Sequence, residues 1–128
     1  MKYICLGYYV KERNDNMPAA ELKAMFEECT EYDDHLRANG HWAGGEALQP
    51  SDTALTLQWK NGKVATTDGP FVETKEQLGG ILMLEARDMN HAVQLIAQHP
   101  ALKYGSIFDI RPTADMDEVR DSYKQLRT

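Results

Sequence analysis

Cysteine is scarce in this chain, with Cys5 and Cys29 the two present among 128 residues. They lie far apart and each falls inside a periodic apolar pattern, which fits buried free thiols better than a disulfide or a metal pair. No apolar run approaches the roughly eighteen residues of a membrane span, and no leader-like segment with a cleavage site follows Met1. The cytoplasm is therefore the default compartment. Basic residues are outnumbered, 14 Lys and Arg against 20 Asp and Glu for a net charge of −6, so neither a nucleic acid nor an anionic membrane is expected as partner. Cofactor signatures are also missing. Gly79-Gly80 is not followed by Lys-Ser or Lys-Thr, and there is no Gly-x-Ser-x-Gly elbow or dinucleotide fingerprint. His91 and His99 are eight residues apart, about 12 Å along a helix axis and too far for one metal, so no metal or other cofactor is expected.

What remains is one compact domain, since 128 residues at 42% hydrophobic content can bury a core but leave no room for a second. Residues 2 to 10 put Tyr3, Cys5, Gly7 and Tyr9 on one face and Ile4, Leu6, Tyr8 and Val10 on the other, a strand that needs cover on both sides. A polar loop from Lys11 to Met17 leads to Pro18, suited to a first helical turn. Leu22, Met25, Phe26, Cys29, Tyr32 and Leu36 then predict an amphipathic helix ending at Asn39-Gly40. A weak strand from His41 to Leu48 and a turn at Pro50-Ser51-Asp52 follow. Between Thr53 and Lys60, Leu55, Leu57 and Trp59 alternate with Thr56, Gln58 and Lys60, and Asn61-Gly62 predicts a hairpin returning through Lys63 to Thr67. Leu78 to Ala86 is a further strand. Asp88 should cap a helix with Met89, Ala92, Val93 and Ile96 buried until Pro100, and Gly105 to Arg111 completes the core through Ile107, Phe108 and Ile110.

This order predicts an α+β fold, a ferredoxin-like split βαβ domain over residues 1–112 with an inserted hairpin. Residues 113–128 are expected as a C-terminal helical extension of the same domain, docking through Met116, Val119, Tyr123 and Leu126. Two helices can cover one sheet face, so a second copy is the simplest cover for the other, and a homodimer is expected.

The segment Thr67-Asp68-Gly69-Pro70-Phe71-Val72-Glu73-Thr74-Lys75-Glu76-Gln77-Leu78-Gly79-Gly80 concentrates turn formers and ionisable groups. One reading is a rigid capped loop, in which Asp68 bonds the backbone two residues on. The other places Asp68 at a pocket rim as a general acid or base tuned by Lys75, a His or an Arg. Among the histidines, His99 could satisfy the end of its own helix. Tyr8, Glu46 and Arg111 are candidates for binding a ligand beside Lys75, with Arg111 near Asp109 as a fixed positive charge.

The same segment resembles the signature of the YCII-related, DGPF-domain family. Met1-Lys2-Tyr3, Gly40-His41, Ala47-Leu48, Gln77-Leu78-Gly79-Gly80 and Asp109-Ile110-Arg111-Pro112 also match, although relatives more often carry Glu-Val-Arg-Pro at the last site. The resemblance implies a dimeric α/β barrel whose two sheets face each other, and its match at Gly40-His41, at a strand start, makes His41 the best catalytic candidate among the histidines. It implies either a ligand-binding or accessory protein linked to sigma-factor signalling or stress response, or a cofactor-independent enzyme using a carboxylate or His on a small organic acid or aromatic compound. Relatives in the wider group have been proposed as enzymes on the strength of a His–Asp pair in a cleft, a pair that no local motif places in this sequence.

Overall fold

The computed structural model describes residues 1–72 and 74–126. Strand β1 (Lys2–Val10) runs into a one-turn helix α1 (Lys11–Asp15), followed by the long helix α2 (Ala19–Ala38) and strand β2 (Trp42–Ala47). After a 3₁₀ turn at Ser51–Thr53 come β3 (Leu55–Lys60), β4 (Lys63–Asp68) and β5 (Glu76–Glu85). Helix α3 (Met89–Ala97), a 3₁₀ turn at Pro100–Leu102, β6 (Ile107–Pro112) and α4 (Met116–Leu126) complete the fold.

The main sheet is antiparallel with strand order β2-β5-β1-β6, while β3 and β4 pair with each other as a separate ribbon. Setting the ribbon aside, this is the split βαβ order expected from the sequence. Local chemistry explains the joints. Asn61 and Gly62 both take positive φ, 53° and 77°, which a two-residue hairpin turn requires. Asp88 accepts the His91 N–H at 2.8 Å and starts α3. Lys11 to Asp15 becomes a helical turn rather than a loop because Lys11 Nζ reaches Asp15 Oδ2 at 2.6 Å across the i,i+4 spacing.

The core lies on one face of the sheet. Tyr3 and Cys5 of β1, Leu82 and Leu84 of β5, Leu36 of α2, and Ala92 and Ile96 of α3 form one buried cluster, with Trp42, Phe108 and Ile110 against it. Three expected core positions fall elsewhere. Met89 and Val93 are exposed at 37% and 48%, because α3 presents Ala92 and Ile96 to the sheet and a nine-residue helix has room for little more. Ile107 points to the opposite face from Phe108 and Ile110, as strand alternation demands.

That opposite face carries Ile4, Leu6 and Tyr8 beside Ile81 and Met83, none of them buried. Two further apolar surfaces are left outward. In the hairpin, Leu55, Leu57 and Trp59 are exposed while Thr56 and Gln58 are the half-buried side, the reverse of a strand that turns its apolar face to its own core. Helix α4 forms with Asp115 receiving the Asp117 N–H at 2.9 Å, yet Met116, Tyr123 and Leu126 stay exposed and Val119 alone is half-buried. The expected extension is helical over Met116–Leu126, with most of its apolar stripe facing outward.

Candidate functional site

The sheet is furnished unevenly under α2. At one end Tyr3, Cys5, Leu82 and Leu84 meet Leu36, the single buried residue of this 20-residue helix. At the other end the same face offers Gly7, Gly45, Gly79 and Gly80, which present no side chain for the first half of the helix to pack on. Phe26 there is 71% exposed. The result is a cleft of about 720 Å³ between α2 and the sheet, with Tyr9, Trp42 and Phe108 among its walls. Glycine lets two of those walls lie flat: a Cβ at residue 79 would come 2.7 Å from the Tyr9 ring, and one at residue 45 would come 2.8 Å from the Trp42 indole.

Into this cleft the fold brings Asp33 from α2 and His99 from the link after α3. His99 Nε2 lies 3.2 Å from Asp33 Oδ1, with the imidazole 7% exposed and the carboxylate 29%. The ring's tautomer follows from its other nitrogen. The Ala101 backbone N–H donates to Nδ1 at 3.2 Å, so in the neutral ring the proton resides on Nε2 and is directed at Asp33. Tyr32 meets the imidazole edge-on at 5.4 Å and Phe108 lies 5.1 Å away, fixing the ring plane. Tyr32 in turn donates its hydroxyl to the Leu95 carbonyl, and burial raises its pKa. Asp33 therefore has one oxygen held from behind and the carboxylate partly open to the cleft.

A cation stands one helical turn further on. Arg37 Cζ lies 4.2 Å from the centre of the Trp42 ring, and its Nη1 donates to Asp34 Oδ1 at 2.8 Å. Burial pushes the Cys5 thiol up to about 11, and burial with the charges of Asp33 and Glu28 does the same to Cys29, which disfavours the nucleophilic thiolate at both. Both are free cysteines, as the sequence suggested. The helix side of the cleft is braced by Glu28, which accepts from Tyr104 Oη at 2.6 Å and from Lys103 Nζ at 3.0 Å. Among the described residues, no three His, Cys, Asp or Glu side chains converge as metal ligands.

The residues singled out from the sequence fall into three places. Asp68 and Lys75 share a groove of about 890 Å³ beside α1, and no described residue hydrogen-bonds the Asp68 carboxylate. It cannot cap the backbone two residues on, because that residue is Pro70 and has no N–H. The turn is held instead by Gly69, at φ 95°, whose N–H reaches the Ala54 carbonyl at 2.8 Å and whose carbonyl accepts from Thr56 Oγ1 at 2.8 Å. His41 lies at the far end of β5, where Nδ1 contacts the Glu85 carbonyl at 3.1 Å and the ring stacks edge-on against His91. The length of β5 separates it from Asp68 by about 30 Å. Glu46 and Arg111 lie on the open face of the sheet, where they register with Ile81 and Ile4. Tyr8 shares that face, and both Tyr8 and Glu46 also border the cleft.

Asp33, His99 and Arg37 were not singled out as a group. Asp33 interrupts the apolar stripe of α2 between Cys29 and Leu36, an acid on a buried face that is the one local signal for it. His99 follows the end of α3 at Ala97 and caps the next turn rather than its own helix.

A family model for the YCII-related domain matches residues 1–120. The chain belongs to that family. In sequence it is similar to an uncharacterized protein of Rhizobium meliloti (strain 1021), 39% identical over 46 residues that make up 36% of this chain and 37% of that one, so the match spans little more than a third of either. Among solved structures it is similar to the 5-chloro-2-hydroxyhydroquinone dehydrochlorinase TftG of Burkholderia phenoliruptrix AC1100, in complex with 2,5-dihydroxybenzoquinone. That likeness covers 89% of this chain and 94% of the other at 16% identity, with a TM-score of 0.49. No helix among the described residues is long and apolar enough to cross a membrane.

Proposed function

We propose that this YCII-related protein is a cofactor-independent enzyme that moves a proton on a small organic acid or aromatic compound in the cleft beneath α2, with Asp33 as the base. One observation carries the reading. The nearly buried His99 ring has Nδ1 committed to a backbone N–H, so Nε2–H holds one oxygen of a carboxylate that remains 29% exposed in the cleft. A carboxylate anchored in this way meets a substrate proton without reorganising, which is the positional requirement for general base catalysis. His99 acts through Asp33 and is a positioning residue.

Deuterium exchange into candidate acids, followed by proton NMR in heavy water, tests this. Wild-type protein should accelerate exchange at one carbon and Asp33→Asn should not. Binding without exchange in the wild type would reduce the protein to a ligand carrier. The accessory role beside sigma factors implied by the family resemblance gains no support from the fold or the comparisons. A ligand site at Asp68 and Lys75 is a second reading, favoured by an Asp68 carboxylate that no described residue hydrogen-bonds, on a groove that Lys75 also lines. For that reading, Asp68→Asn should weaken ligand binding while leaving stability almost unchanged.

The same proposal includes a homodimer in which two sheets face each other as a dimeric α/β barrel. Three apolar surfaces support it: the open sheet face, the Leu55, Leu57 and Trp59 row, and the Met116, Tyr123 and Leu126 stripe of α4. Apolar area on this scale is ordinarily covered in a stable protein.

A further inference from the structure

We infer that Arg37, laid on the indole of Trp42, is the anion-holding group of the cleft, and that the compound acted on is a planar aromatic carboxylate. The inference rests on the Asp33 reading above and deepens it. Arg37 follows Asp33 by four residues on α2, so both side chains leave the same helix face. Both line the cleft together with Trp42. The other charged residues that line it, Asp15, Asp33 and Glu46, are acidic, and the Glu46 side chain belongs to the open sheet face, which leaves Arg37 as the one permanent cation among the described lining residues.

Its geometry suits a planar anion. With Cζ over the ring at 4.2 Å from its centre, the guanidinium is supported by the indole, and its N–H donors lie in its own plane. Asp34 engages one of them through Nη1 at 2.8 Å, and no other described residue takes a hydrogen bond from the group. A cation in the last turn of α2 is already favoured by the helix dipole, but that preference does not call for an aromatic support. Glycine at 45 makes room for that support, since a Cβ there would come 2.8 Å from the indole. An aromatic ring then has Tyr9, Trp42 and Phe108 to lie among while its carboxylate meets Arg37. The carboxylate is the recognition handle, and a C–H next to a carbonyl on a ring substituent, within reach of Asp33, is the acidic site: Asp33 takes its proton, the electron pair passes into the carbonyl as an enolate, and the proton or a solvent deuteron returns to the same carbon.

The test compares 4-acetylbenzoate with its neutral amide, 4-acetylbenzamide, by calorimetric titration, with deuterium exchange into the acetyl methyl followed on the same samples. The acid should bind about tenfold more tightly than the amide, a difference of about 1.4 kcal/mol. Arg37→Met should remove that preference, Arg37→Lys should restore part of it, and Asp33→Asn should keep the acid's affinity while losing exchange. Equal binding of acid and amide, no binding of either at millimolar concentration, or an undiminished preference in Arg37→Met overturns the inference. Loss of exchange in Asp33→Asn alongside unchanged affinity in Arg37→Met overturns the anion site and leaves the Asp33 reading intact. Lost affinity in Arg37→Met alongside retained exchange in Asp33→Asn supports the anion site and overturns Asp33 as base.

Discussion

Replacing His99 by Phe keeps a ring of similar size against Tyr32 and Phe108 but removes both ring nitrogens. The Ala101 N–H loses the acceptor it has at 3.2 Å, and an orphaned backbone donor costs about 1–3 kcal/mol. Asp33 also loses its donor, but at 29% exposure water can replace part of that bond, adding at most about 1 kcal/mol. The expected loss is about 1–4 kcal/mol. Asp33→Asn, by contrast, leaves a carbonyl oxygen where Nε2–H can still donate, so about 1 kcal/mol or less should be lost. Urea unfolding followed by tryptophan fluorescence measures both, provided protomer concentration is held fixed, because association would shift every midpoint. The reasoning requires the two variants to separate, His99→Phe on stability and Asp33→Asn on exchange chemistry. An Asp33→Asn loss as large as that of His99→Phe would mean the charge itself holds the fold, and the pair would then be a structural ion pair.

Three other perturbations have defined outcomes. Trp59→Glu removes a side chain 71% exposed in the protomer, so it should cost little in a monomer yet shift the mass measured by light scattering from two protomers to one; a persistent dimer would place the interface elsewhere. Gly79→Ala puts a methyl 2.7 Å from the Tyr9 ring and should cost about 1–3 kcal/mol in thermal unfolding while weakening ligand binding in the cleft, whereas an unchanged melting temperature would show that Tyr9 is free to move. Tyr104 is pushed up to about 12, first by its hydrogen bond to Glu28 and then by burial. A phenol raised above its ordinary value of about 10 contributes stability that is complete below that pH and is lost as pH rises toward 12. Ultraviolet titration should therefore show a late phenolate that Tyr104→Phe removes, and an unchanged titration curve in that variant would sink the assignment.

Much of the fold was legible in local chemistry. Asn61-Gly62 has few alternatives to a tight hairpin turn, Asp88 is an N-cap by composition, and the three- and four-residue spacing from Leu22 to Leu36 reads as one helix. Periodicity says which residues share a face but not what covers that face. The Leu55, Leu57 and Trp59 row and the α4 stripe were therefore correctly placed on common faces, yet both turn away from the core of the protomer.

The site was much less legible. Asp68 and His41 attract attention because each stands beside a turn or a strand start, and the fold sends them to opposite ends of β5. Asp33 and His99 are 66 positions apart and meet at 3.2 Å because α2 and the link after α3 cross the same end of the sheet.

By itself the sequence determined the elements, their order and the family, since each depends on spacing and turn chemistry within a few residues. The tertiary structure alone decided where the cleft opens and which ionisable groups face each other in it. The physical reason is the glycines at 7, 45, 79 and 80: they are scattered along three strands, and only sheet pairing gathers them into one bare patch that α2 bridges without filling.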